Sequence, residues 1–150
     1  MDRNISYPGV GAAVSGAIGI FGIYAGWWET PTTLYYGTAD ISGSLALAMS
    51  IGLIVFGGGA ILMSDARIRK TMSALFTICA VVLTLTCVWG LLRTDDIAAG
   101  ASASKGMWVS LLGGLCGIAS GLLAMRPAQE APPGTAPDVP GRETTDANSS

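Results

Sequence analysis

The sequence predicts an all-α membrane protein, a bundle of four transmembrane helices followed by a disordered C-terminal tail. Three observations carry that expectation. Of the 150 residues 51% are hydrophobic and 12% charged, whereas soluble domains are about 25% charged. The apolar residues gather in runs of about twenty, the length that crosses a bilayer core. The longest run, from Ile41 to Leu92, has one polar break, Asp65-Ala66-Arg67-Ile68-Arg69-Lys70. A run that long cannot be one span, so the break reads as a tight turn between two. The positive-inside rule holds basic turns in the cytoplasm, which makes Arg67, Arg69 and Lys70 the topology anchor.

The first helix is expected over residues 10–28. A cleaved signal peptide has a positive start, a shorter apolar core and a small-residue cleavage site. Here the start is barely positive, with Asp2 offsetting Arg3, and Trp27-Trp28 stands where cleavage would occur. The helix is therefore read as uncleaved. Residues 29–40 contain Pro31 and Tyr35-Tyr36 but no Lys or Arg, which marks an outside loop. The second helix is expected over 41–63 and the third over 72–92. A second outside loop, 93–105, carries Asp95-Asp96, and the fourth helix runs over 107–125 to Arg126-Pro127. Residues 1–126 thus form the membrane domain. Residues 127–150 hold five prolines and no hydrophobic period, too little apolar surface to offset the entropy of ordering, and read as a disordered cytoplasmic tail.

Aromatic placement agrees with this topology. Trp27, Trp28, Trp89 and Trp108 all fall near the outer helix ends, where amphipathic rings prefer the headgroup level, and are assigned as interfacial aromatics. An offset of 62 residues superimposes Trp27 on Trp89, Gly52 on Gly114, Gly59 on Gly121 and Met63 on Met125. Two tandem helical hairpins are one internal arrangement this spacing allows; chance matching between apolar helices is the other.

Hydrophobicity does not press helix against helix in lipid, so small residues that permit close approach and interhelical hydrogen bonds must do it. Each helix carries such a stripe. The first has Ala12, Gly16, Gly19, Gly22 and Gly26; the second has Ser44, Ala48, Gly52 and Gly59; the third has Ser73, Thr77, Ala80, Thr84 and Cys87; the fourth has Gly113-x-x-x-Gly117-x-x-x-Gly121. Two uses are open to these helix-packing residues: the protein's own core, or docking of a second copy or another membrane protein.

Chemistry is sparse. The four expected helices hold no Asp, Glu, Lys, Arg or His in their interiors and the chain has no histidine. Ionisable groups at membrane depth mark transport pathways, so a coupled transporter is not expected. Catalytic, cofactor-binding and metal-ligating residues are expected to be absent. Asp95-Asp96 reads as solvated loop charge, with Arg93 beside Asp95 as a weak surface pair. Cys79, Cys87 and Cys116 lie inside apolar runs and read as small hydrophobes rather than disulfides. The sequons at Asn4 and Asn148 fall on the expected cytoplasmic side.

The sequence therefore points to a small, non-catalytic, polytopic plasma-membrane protein with both termini cytoplasmic. Its partners are the lipid bilayer and either itself or another membrane protein, with no nucleic acid. An accessory or scaffold subunit packing through its small-residue faces is the first reading. An oligomeric passive pore or holin-like channel, with the Thr/Ser face of the third helix turned to water, is the alternative. Six Arg to two Lys, with abundant Ala and Gly, is a compositional hint of a GC-rich bacterial genome.

Overall fold

The computed structural model describes residues 7–97 and 100–126; the expected tail over 127–150 and both sequons lie outside the described residues. Four helices long and apolar enough to cross a membrane make up the body: α1 (Tyr7–Tyr24), α2 (Ile41–Leu62), α3 (Ala66–Leu92) and, after the single turn α4 (Thr94–Ile97), α5 (Lys105–Met125). At about 1.5 Å per residue α1 spans roughly 27 Å and α3 roughly 40 Å, against a hydrocarbon core of about 30 Å. The helices form a closed ring in the order α1, α2, α3, α5, each packed on two neighbours.

Local chemistry sets the boundaries. Pro8 sits in the first turn of α1, where its missing N–H removes no helical hydrogen bond. The helix ends at Tyr24 rather than continuing to residue 28, because Gly26 takes a φ of +93°, a left-handed conformation that glycine adopts without steric cost. Asp40 caps α2, its carboxylate accepting from the Ser42 N–H at 3.4 Å and from the Ser42 hydroxyl. The Ser42 hydrogen bond holds Asp40 below its ordinary carboxylate value of 3.8; slight burial opposes this and Arg93 adds to it. The stabilisation this cap provides is accordingly present above pH 3.8 and lost as the pH falls through the lower folded-state value.

The basic segment is not a turn, as the sequence suggested, but the opening of a helix. Residues 63–65 make the turn, and the Asp65 carboxylate accepts from the Arg67 N–H at 2.8 Å, a side-chain cap at the point where helical N–H groups lack partners. Arg67, Arg69 and Lys70 then ride on the first turns of α3. That extra length is what makes α3 longer than a bilayer core requires.

At the opposite end the two long connections are not separate loops. They join in a three-stranded antiparallel sheet, β1 (Trp28–Glu29) between β2 (Leu34–Tyr35) and β3 (Ser102–Ala103). Trp28 pairs with Tyr35 on one side and Ala103 on the other. A 3-10 turn, Gly37–Ala39, then leads into α2. This sheet end and the turn end at residues 63–65 are the two poles of the bundle.

The halves do form two packed hairpins, α1–α2 and α3–α5. The 62-residue offset, however, does not carry into their packing. Gly52 faces Cys79 on α3, and Gly114 faces Thr84, also on α3; halves related by a two-fold axis would turn Gly114 to α1.

Candidate functional sites: the glycine seams and the sheet-end cavity

Glycine seams bring α1 to both of its neighbours at backbone distance. A Cβ added at Gly9 would stand 2.8 Å from the Gly57 carbonyl oxygen of α2, and one at Gly113 would stand 2.8 Å from the Ser15 carbonyl oxygen. At Gly22 and Gly106 the added atom would overlap the facing backbone outright. Between α3 and α5 the glycines instead receive small side chains: Gly114 meets Thr84, Gly117 meets Ala80 and Gly121 meets Thr77. The vacated centre is filled from across the ring. Leu53 of α2 comes within 3.3 Å of a Cβ at Gly117 on α5, and Leu83 of α3 within 3.3 Å of one at Gly19 on α1. With Phe76 they are fully buried.

The expected packing residues therefore divide. Gly16, Gly19, Gly22, Gly113, Gly117 and Gly121 lie on buried helix faces, and Thr77 and Thr84 stand half-buried against α5. Gly26 is buried but outside α1, where a side chain would strike Leu34. On α2 the stripe is displaced: Ser44 and Ala48 are exposed, while the buried face is Gly43, Ala46, Ser50, Leu53, Gly57 and Ala60. Gly52 and Gly59 sit at its edge, toward Cys79 and Met72 of α3. The seam residues Gly9 and Gly106 were not singled out from sequence, and Gly57 was noted only beside the stripe of the second helix. Gly106 was legible, since Gly106-x-x-x-Ser110-x-x-Gly113 continues the small-residue spacing one turn upstream.

Most interior hydroxyls are satisfied locally, whereas that of Ser50, fully buried on α2, has no partner among the described residues. Ser15, Ser73, Thr77, Thr84 and Thr86 each donate to the carbonyl four residues back, at 2.7 to 2.9 Å. Ser110 is different. It donates to the Gly19 carbonyl of α1 at 3.2 Å and accepts from the Trp27 indole N–H at 3.4 Å, tying the sheet end to the α1–α5 seam. All three thiols are free, Cys79 and Cys87 buried and Cys116 exposed.

The aromatics differ from the belt read from sequence. Trp89 and Trp108 are exposed, but Trp27 and Trp28 are turned inward and buried, their rings edge to face with centroids 5.5 Å apart. The cause is the Gly26 turn, which folds both tryptophans back under the sheet rather than leaving them on an extended α1. Arg67 and Lys70 are exposed and Arg69 half-buried at the turn end, and Arg93 pairs with Asp96 at 3.6 Å.

Two connected spaces open at the sheet end. One, about 230 Å³, lies between Trp28, Tyr35, Asp40, Trp89 and Arg93. The other, about 630 Å³, is a groove between α2 and α3 with Leu45, Val82 and Leu85 in its walls. No family model, curated protein or solved structure matches this chain.

Proposed function

We propose that this chain is a non-catalytic integral membrane protein, an accessory or scaffold subunit whose outer surface meets a second copy or another membrane protein. The observation that carries the reading is the solid interior. Leu53, Phe76 and Leu83 fill the centre, and the buried polar side chains among the described residues are serines, one threonine and tryptophan indoles. A path for ions or protons needs water or ionisable groups at depth. Because the glycine seams are internal, partner contact falls to the bulky outer faces, where Phe21, Val55, Leu85 and Leu112 are exposed.

The pore reading is the weaker one. It needs the threonine face of α3 on the outside of the bundle, whereas Thr77 and Thr84 stand against Gly121 and Gly114 of α5. A tail-tagged protein pulled down in gentle detergent is expected to bring a stoichiometric membrane partner or a second copy. Reconstituted in vesicles, it is expected to release no trapped dye as protein is added; release in proportion to protein would establish the pore instead.

The charge distribution supports an orientation. Arg67, Arg69, Lys70 and Arg126 lie at the turn end, whereas Glu29, Asp40 and Asp96 accompany Arg93 and Lys105 at the sheet end. By the positive-inside rule the turn end and both termini face the cytoplasm of a plasma membrane, here placed in a bacterium. A cysteine introduced as Thr33→Cys should react with an impermeant maleimide in intact cells, and Ser64→Cys only after permeabilisation. The reverse pattern would invert the topology.

A further inference from the structure

The sheet-end cavity plays no part in holding the bundle together, yet its walls are chemically specific. Trp28 is 2% exposed and its indole Nε1 has no hydrogen-bond partner. The ring's Cζ2, on the nitrogen side, stands 3.8 Å from where a Cβ of Gly90 would be, and Gly90 and Trp28 both line the cavity.

Asp40 and Arg93 line both the cavity and the groove. They carry opposite charges but do not close on each other: Arg93 pairs with Asp96 and Asp40 holds Ser42. An acid and a base thus flank one opening, with Tyr35 and Trp89 beside them and the Arg93 guanidinium over the Trp89 ring, 6.0 Å from its centroid. Aromatic faces attract ammonium groups, and a guanidinium suits phosphate. Below them the groove runs down α3 from Leu92 to Val82. Ten residues of helix rise about 15 Å, half of a hydrocarbon core of about 30 Å, so the groove has the length of one leaflet.

We propose that this site binds a zwitterionic phospholipid. Its ammonium sits at Asp40, its phosphate at Arg93, and one acyl chain lies between α2 and α3. The proposal rests on the membrane placement above but not on the scaffold role. An anionic lipid would leave Asp40 facing like charge, and a soluble zwitterion would leave the groove unfilled.

The test uses the full chain, delipidated in detergent, with lipid added back and counted by native mass spectrometry. Phosphatidylethanolamine is expected to bind with one molecule per chain, about tenfold more tightly than phosphatidylglycerol. Arg93→Gln should weaken it by about tenfold. Asp40→Asn keeps a capping side chain and should abolish the preference between the two lipids. Glycerophosphoethanolamine, which has the head without the chains, should compete poorly. Equal retention of both lipids, indifference to Asp40→Asn and Arg93→Gln, or full competition by the soluble head would each overturn the proposal, the last in favour of a solute pocket.

Discussion

Gly106→Leu is expected to abolish the folded bundle, and Gly106→Ala to destabilise it by about 1–3 kcal/mol or more, the range for overpacking a tight interior. The added carbon would overlap the carbonyl oxygens of Gly22 and Gly26. Those are backbone atoms and cannot rotate aside as a side chain would; α1 and α5 would have to separate. Gly117→Leu should behave similarly, because its Cβ would meet Ala80 Cβ at 2.8 Å and its branch the Leu53 side chain. Gly58→Leu is the control. Among the described residues nothing stands within 4 Å of a Cβ there, and losing a helical glycine gains up to about 1 kcal/mol of propensity. Melting in detergent followed by circular dichroism, with size-exclusion chromatography alongside, reads both fold and association. If Gly117→Leu instead left stable monomers where the parent forms dimers, the glycine face would be a docking surface and the internal seam wrong. If Gly106→Leu melted like Gly58→Leu, the α1–α5 contact itself would be wrong.

The number of long helices and most of their ends were legible because apolar runs and polar breaks are coarse signals tied to bilayer thickness. The inner faces of α1 and α5 were legible for a different reason: their glycines recur every three or four residues, and each repeat lands on the same side. On α2 the same cue misled. That helix is apolar all round and has small residues on several sides, so no polar face marks the outside. Ser44, Gly52 and Gly59 each stand one residue from a buried position, about 100° round the helix, and the buried face includes Leu53, which no small-residue rule selects. The start of α3 was misread because charge was equated with a turn, although Asp65 supplies a helix cap and a bilayer leaves basic residues free to continue the helix beyond it. The sheet had no sequence signal at all. Its strands are two residues long, too short for an alternating pattern, and their register follows from the Gly26 turn and from contact between connections some seventy residues apart. The sheet-end cavity is built by that sheet, which is why Trp28, Asp40 and Arg93 were not recognised as neighbours.

Trp27→Ala should be the most damaging substitution at the sheet end, costing about 3–5 kcal/mol as large buried aromatics do, while Trp89→Ala, at a ring 57% exposed, should leave the protein's stability in detergent nearly unchanged. Trp27 is fully buried, and its ring stands 3.1 Å from a Cβ at Gly37 and 3.8 Å from one at Gly90. It thereby touches the approach to α2 and the end of α3 at once. Its indole N–H reaches Ser110 on α5, its backbone N–H donates to the Tyr35 carbonyl at 2.8 Å, and its carbonyl accepts from Ser104 at 2.8 Å. One residue thus joins the sheet to α3, to α5 and to the 3-10 turn that leads into α2. Trp27→Phe separates the parts: it keeps most of the ring and gives up the Ser110 bond, worth about 0.5–1.5 kcal/mol. Cys87, buried in the same end of α3, supplies a second readout, because loss of the Trp27 ring should raise its reaction with a small maleimide and loss of Trp89 should not. A headgroup-level Trp27 predicts no such ranking in a bilayer, with Trp27 and Trp89 equally dispensable to the fold and Cys87 equally protected in both variants. The ranking of those two tryptophans therefore decides whether the sheet is a cap locked into the bundle or a pair of loops resting on it.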